Sequence, residues 1–580
     1  MKAREPSTEF LPTTKDEMNR RRWKQCDVIL ISGDAYIDSP YIGVAVVGRV
    51  LESMGYKVGI IGQPDINSEK DITRLGEPRL FWGVSGGSVD SMVANYTASK
   101  KFRKSDDYTP GGNNNKRPDR AVLVYTNLIR RYFKQTVPIV LGGIEASLRR
   151  ITHYDFWSNK LRKPILFDAK ADYLIYGMGE MALKELTQAL DEGRAPTEVR
   201  GVCYISKSPK EDFITLPSHQ ECLADKEKFI DQFDLFYDNN DPISAKGLCE
   251  LVDNRYLIQN PPSRYLEEHE MDAVADLPYT RALHPFHEKE GEVRCLQTMK
   301  FSIMTHQGCW GECNFCAIGV HQGRTIRTRS EHSILQEAHD FTAYEDFKGI
   351  IADVGGPTAN MYGYECDKKL NHGTCAHQRC VDATRLCGSM QVDHSRNINL
   401  LRQIRDVKGV KKAFVASGIR YDFITADKSH GYSYLKELVA HHISGQMKVA
   451  PEHTQQHVLS LMGKPGKQTL VDFKKMYDKL NREAGKKQFL TYYLIAAHPG
   501  CSEKDMHALK DFTTHELQMN PEQAQIFTPT PGTYSTVMYY TELDPQTREP
   551  IFVEKDHHKK ERQKSIVVKK EKISHSTFAS

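Results

Sequence analysis

Gly308-Cys309-Trp310-Gly311-Glu312-Cys313-Asn314-Phe315-Cys316 sets three thiols at the spacing C-x3-C-x2-C. Three thiolates so spaced can fold around one face of a four-iron cubane, leaving the fourth iron without a protein ligand and open to chemistry. The competing reading is a closed structural zinc site, which takes four donors, with His306 or His321 as the fourth.

Downstream of this loop, helical and apolar stretches alternate. A helix is predicted from Ser333 to Phe341. The apolar run Gly349-Ile350-Ile351-Ala352-Asp353-Val354 follows and ends in Gly355-Gly356-Pro357-Thr358. Three later runs, Ala413 to Arg420, Gln446 to His453 and Leu490 to Ala497 with His498-Pro499-Gly500, predict strands that each put polar residues just past an apolar stretch. This is the pattern of a partial β/α barrel, which keeps its reactive groups past the carboxyl ends of its strands. Arg420, Lys448, Glu452, His453 and His498 are therefore candidate cofactor or substrate contacts, with structural salt bridging the alternative for each.

Upstream, Val28-Ile29-Leu30-Ile31, a helix over Val44 to Met54, and Lys57 to Ile61 form a βαβ unit. The alternation continues through Leu80 to Val84, a helix from Val89, a helix from Ala121 to Lys134, Pro138 to Leu141, Tyr173 to Tyr176 and a helix from Glu180. Residues 26–200 are thus expected to form a doubly wound parallel sheet. Glycines cluster where its strands should end, at Ser85-Gly86-Gly87, Gly142-Gly143 and Gly177-Met178-Gly179-Glu180. They mark either a ligand edge or tight turns needing positive φ. Lys100 to Arg120 reads as an insertion loop. The division expected is a polar segment 1–25, the sheet 26–200, a bridging region of short helices 201–294, a core 295–545 and a basic, flexible tail 546–580.

At 580 residues and a formal net charge of +4, the chain needs two or three domains, and no global charge demands a nucleic acid or a membrane. No apolar run reaches the roughly 18 residues that span a bilayer, and Met1 to Arg22 is polar, so a cytoplasmic protein is expected. Of 13 cysteines, seven lie between Cys309 and Cys387, which favours metal binding in a reducing compartment. Cys366, Cys375, Cys380 and Cys387, beside His372, His377 and His394, are a candidate zinc or auxiliary cluster site, with reactive or free thiols the alternatives. Between Glu554 and Lys572, eight Lys or Arg accompany four Asp or Glu. That is the composition of a solvated tail, or of an electrostatic hold on RNA.

The cysteine run, with Phe315 just before its last cysteine, resembles the radical SAM superfamily. The resemblance implies a [4Fe-4S] cluster on Cys309, Cys313 and Cys316 and S-adenosylmethionine (SAM) on the open iron. A flavodoxin- or ferredoxin-type donor would reduce the cluster, and a 5′-deoxyadenosyl radical would abstract hydrogen from a substrate. It further places Phe315 near the adenine and gives Gly355 and Gly356 a backbone role at the cofactor's methionine end, with Pro357 where the motif is usually acidic. The order of elements over 26–200 resembles a cobalamin-binding-like domain, but the loop Asp34-Ala35-Tyr36-Ile37-Asp38 has tyrosine in the cobalt-ligating histidine position, so cobalamin is not expected. Cys309 to Arg329, Asp353 to Tyr362, Lys448 to Thr454 and Phe527 to Gly532 with Tyr539-Tyr540-Thr541 are similar to the YgiQ-type family, whose reaction is unassigned. Two rivals follow: a cobalamin-dependent methyltransferase, and a nucleic-acid-binding protein whose metal sites are architectural.

Overall fold

The computed structural model describes residues 3–376, 379–382 and 386–569. His377 of the second cysteine region and residues 570–580 of the basic tail lie outside them. A nine-stranded sheet dominates the amino-terminal half, in the spatial order Ile214–Leu216, Leu248–Val252, Arg255–Gln259, Val202–Ser206, Tyr173–Ile175, Ile139–Gly142, Phe81–Ser85, Val28–Ser32, Val58–Gly62. The last five strands are mutually parallel. Val28 and Leu30 pack into one apolar cluster and Ile29 and Ile31 into another, so both faces of the strand are buried. An unbroken apolar run is what such a strand requires. Helices Gly43–Ser53 and Glu180–Asp191 contact each other over the first face, and Ala121–Tyr132 packs on the second.

The expected bridging region of short helices is corrected in part. Residues 202–259 add four strands to the same sheet, with Val202–Ser206 antiparallel to Tyr173–Ile175 and Arg255–Gln259 antiparallel to both of its neighbours. These strands are three to five residues long and mix buried with exposed positions irregularly, so no clean period of two marks them in the sequence.

A second set of strands forms an open arc. Ser302–Met304 pairs in parallel with Asp353–Gly355, Ile350–Ile351 with Lys412–Ala413, and Gln446–Glu452 with Phe489–Ala496, which in turn pairs with Gln525–Ile526. A parallel bridge from Ile419 to Val449 closes the gap in the middle. Among the described residues the first and last strands do not pair, so the barrel is partial. The strand expected over Ala413 to Arg420 is regular only at its start. Asp353 Oδ1 accepts from the backbone of Ala416 (2.8 Å) and Ser417 (3.1 Å), so a carboxylate there takes the place of ladder partners.

The two halves are joined through Asp38. Its carboxylate pairs with Arg49 at 2.5 Å and accepts from Thr280 N at 3.0 Å, and its carbonyl accepts from Arg281 N. The Arg281 guanidinium then reaches Glu337 on the barrel helix Glu331–Phe341. The Lys100 to Arg120 loop is packed rather than loose: the buried Arg117 side chain pairs with Asp34 (2.8 Å) and Asp106 (3.0 Å).

The reading of a solvated, flexible tail is also corrected over residues 557–568. Helix His557–Val568 docks on the carboxyl end of the barrel. Lys560, 1% exposed, lays its stem and ammonium over Tyr539 and Phe156 and donates to Tyr539 OH at 2.7 Å. Gln563 accepts from Ala497 N (2.9 Å) and donates to Cys501 O (3.2 Å). Lysine can cover apolar surface with its methylenes, which charge counting does not register. Gln563→Ala strands both backbone groups and is expected to cost about 1–3 kcal/mol, read as a lower urea midpoint at unchanged m-value. An unchanged midpoint would mean that the docked tail does not support the barrel.

Candidate functional site

The cysteine loop leaves the first barrel strand through His306–Gln307, which pairs with Arg327–Thr328 and so ties the two ends of the excursion together. At Gly308, φ is 84° and a Cβ would strike the Thr325 carbonyl. Cys309 N donates to Gly323 O at 3.1 Å. Glu312 accepts from Tyr237 OH (3.1 Å) and pairs with Arg324 (3.2 Å), while Asn314 Nδ2 donates to Leu461 O at 2.8 Å. Trp310, fully buried, stacks on Phe423 at 4.0 Å between ring centroids. Contacts from the amino-terminal half and from the barrel thus fix the loop before any ligand is considered.

Burial pushes the Cys316 thiol up to about 12 and raises that of Cys309 as well, so these groups ionise only with a cation or metal beside them. Lys464 is the cation acting on Cys316, and Arg420 the one acting on Cys309. Arg420 Nη1 lies 3.6 Å from Cys313 Sγ and its other edge pairs with Asp422 at 2.6 Å. Burial works against its charge, but Asp422 and the two thiols outweigh it and raise its pKa. Gly311 makes room, since a Cβ there would lie 2.5 Å from Arg420 Nη1. Cys309 Sγ contacts Thr358 Oγ1 at 3.5 Å, which joins the loop to the turn after the second strand.

Among the described residues, the three donors whose ligand atoms all lie within 4.8 Å of one another are Asp393, Asp427 and His430.

The other sequence candidates divide. Gly356 packs against His306, whose ring would lie 2.6 Å from an added Cβ, and Gly355 O accepts from Thr305 N at 2.7 Å. Glu452 sits at φ 65°, where the strand register shifts. Burial raises its pKa against the opposing pull of Lys464, 3.6 Å away. Lys464 also lies 5.9 Å over the Phe315 ring, and His498 meets the same ring edge-on at 6.2 Å. His498 Nδ1 donates to Pro499 O at 2.9 Å, so its Nε2 accepts from Ser535 Oγ at 2.6 Å, and His453 Nε2 faces Cys501 Sγ at 3.6 Å. Lys448 contributes its carbonyl, accepting from Ile419 N. Cys366, Cys380 and Cys387 share an apolar cluster with Cys309, and Cys387 N donates to Cys380 O at 2.8 Å. Cys375 lies outside that cluster. Tyr36 is fully buried and stacked on His284, and its hydroxyl accepts from Leu11 N at 3.3 Å. Lys464, Thr358 and Asp422 escaped the sequence reading. The signals present were the Gly463-Lys464 turn, with Gly463 at φ 65°, and a carboxylate two residues after Arg420.

An α/β sheet set against a partial barrel is the architecture that carries the three-thiol loop, and the comparisons bear on that architecture and on the family. Residues 10–302 match the family model described as Radical SAM N-terminal. The fold resembles that of the radical S-adenosylmethionine methyltransferase TsrM from Kitasatospora setae, solved with cobalamin and a [4Fe-4S] cluster bound, at TM-score 0.51 and 15% identity over 88% of this chain and 77% of that one. The chain belongs to the UPF0313 family. It is 59% identical over 97% of its length to a UPF0313 protein of Fusobacterium nucleatum subsp. nucleatum, covering 99% of it, and 47% identical over 96% to one of Clostridium perfringens, covering 84%.

Gly356→Ala is expected to cost about 1–3 kcal/mol by forcing the buried His306 ring aside, measured as a urea midpoint shift, and a neutral result would show that the ring can yield. Burial lowers His306, His321 and His453 to about 4. Between pH 6.5 and 4 the unfolded chain therefore binds protons that the folded chain refuses, and stability falls as pH drops through that window. Ring-proton NMR should find these histidines neutral at pH 5; midpoints near 6.5 would contradict the burial.

Proposed function

We propose that this protein is a radical SAM enzyme, with Cys309, Cys313 and Cys316 holding a [4Fe-4S] cluster. The observation that carries the reading is the meeting of three elements at the thiols: the cysteine loop itself, Thr358 beside Cys309, and Arg420 beside Cys313. Cluster and SAM, when bound, supply reductive cleavage of the sulfonium to a 5′-deoxyadenosyl radical, fed by a flavodoxin- or ferredoxin-type donor. The chain's own residues do the rest. Arg420 offsets thiolate charge in a buried setting where it would otherwise be costly. Gly355 and Gly356 bring backbone close to the loop, which suits the amino end of the SAM methionine moiety. Phe315, clamped by Lys464 and His498, offers a flat apolar surface for adenine. Glu452, buried and paired with Lys464, suits a polar contact to the cofactor. The thirteen free cysteines suit a reducing cytoplasm.

A cobalamin-dependent methyltransferase is supported only by the shared fold, and Tyr36, in the position of the cobalt-ligating histidine, lies in the core. The architectural nucleic-acid reading loses support from the tail, where Lys555 and Arg562 are engaged by Glu542 and Glu503 and Lys560 is buried.

The test is anaerobic. Chain reconstituted with iron and sulfide and reduced with dithionite should convert SAM to 5′-deoxyadenosine and methionine. Cys313→Ala should lose both iron and product, and Arg420→Gln should lower the rate at least about tenfold. Full iron loading with no 5′-deoxyadenosine would overturn the proposal.

A further inference from the structure

A cavity of about 410 Å³ lies between the carboxyl ends of the parallel strands and the start of the barrel. That size is within the range of small-molecule sites. Leu30, Phe81, Val140 and Leu183 form its apolar wall on the sheet side, and Met304 and Gln307 its barrel wall, two residues before Cys309.

The position is where open α/β sheets bind ligands, and such ligands commonly place an anion on backbone N–H groups at helix starts. At some of these positions the protein's own acids take the donors. Asp34 Oδ2 accepts from Ser88 N at 2.6 Å, and the Glu145 carboxylate accepts from Ser91 N at 2.9 Å and Val122 N at 3.2 Å. The glycines serve this closure: a Cβ on Gly87, at φ 104°, would strike Asp34, and one on Gly86 would strike Glu145. The donors at Ser88, Ser91 and Val122 are therefore taken by the protein's own carboxylates.

Most charged groups on the cavity wall are already neutralised. Asp34 pairs with Arg117, Arg329 with Glu337 at 2.5 Å, and His321 is held uncharged by burial. Glu180 is the exception. It opens the helix Glu180–Asp191, is 4% exposed, and makes no ion pair among the described residues. Its own backbone N–H and the Gln307 side chain are its hydrogen-bonding neighbours, and among the described residues Lys184, one turn on, is the cation that acts on it. Burial raises its pKa, the signature of a carboxylate lacking the cation that would make its charge tolerable.

We propose that this cavity binds a small molecule with an apolar body and a primary ammonium group, the ammonium pairing with Glu180 and Gln307 aligning the carboxylate. That the ligand is the substrate rests on the radical reading above; the binding site does not.

Isothermal titration of the full chain with 4-phenylbutylamine, 4-phenylbutanol and 4-phenylbutanoate tests it. The amine should bind at least about tenfold more tightly than the alcohol, as a charge-assisted pair in a desolvated pocket requires, and the carboxylate should not bind. Glu180→Gln should bring amine and alcohol to equal affinity and raise the melting temperature of the ligand-free chain, because an uncompensated buried carboxylate is removed. Leu183→Trp should abolish binding of both by filling the space. Equal affinity for amine and alcohol in the unsubstituted chain, an amine affinity unchanged by Glu180→Gln, or no binding of any probe would overturn the proposal. So would displacement of the amine by hydroxocobalamin with Glu180→Gln leaving both unaffected. Uncoupled SAM cleavage is scored separately on the same preparations: its loss with amine binding intact sinks the radical reading alone, and its presence without amine binding sinks this site alone.

Discussion

Arg420 between a thiol and a carboxylate is the contact on which the site depends. A thiolate in a buried pocket is costly unless a cation stands beside it, and burial alone already drives Cys309 and Cys316 toward the protonated form. Arg420 meets Cys313 on one side and Asp422 on the other while its guanidinium lies 4.6 Å over Phe423, the ring on which Trp310 stacks. Charge, loop conformation and barrel core are thereby settled by one side chain, which reaches the loop only because Gly311 has no Cβ.

The amino-terminal sheet contributes more than support. Tyr237 and Arg324 clamp Glu312 inside the cysteine loop, and Arg281 carries the Asp38 junction to Glu337 of the barrel. The loop is therefore built by both halves, with the apolar cavity held between them. At two of the glycine-rich strand ends Asp34 and Glu145 occupy backbone donors, and Glu180, without an ion pair among the described residues, stands on the same cavity wall.

Much of this was legible in the chain itself. Val28-Ile29-Leu30-Ile31 is apolar on both faces because both faces are covered, and the C-x3-C-x2-C spacing marks the loop without help from structure. Three things were not legible, each for a physical reason. Val202–Ser206 and its antiparallel neighbours are short and unevenly buried, so their periodicity is lost. The tail helix buries Lys560 through its methylene stem, which a count of charges reads as solvation. Lys464 and Asp422 matter only through Glu452 and Arg420, and such pairs are created by the fold rather than by spacing. The second cysteine group stands between these cases: three of its thiols meet in one apolar cluster near Cys309, and Cys375 does not join them.

The central claim is a cubane on three thiols with one iron left for a small molecule. Mössbauer spectroscopy of anaerobically prepared, iron-57-loaded chain tests it most directly. The account predicts about four irons per chain as a [4Fe-4S] cluster, with the spectrum of one iron changing when SAM is added and the other three unaltered. Four equivalent irons indifferent to SAM, or zinc held by four protein donors at Cys309, Cys313 and Cys316, would contradict it.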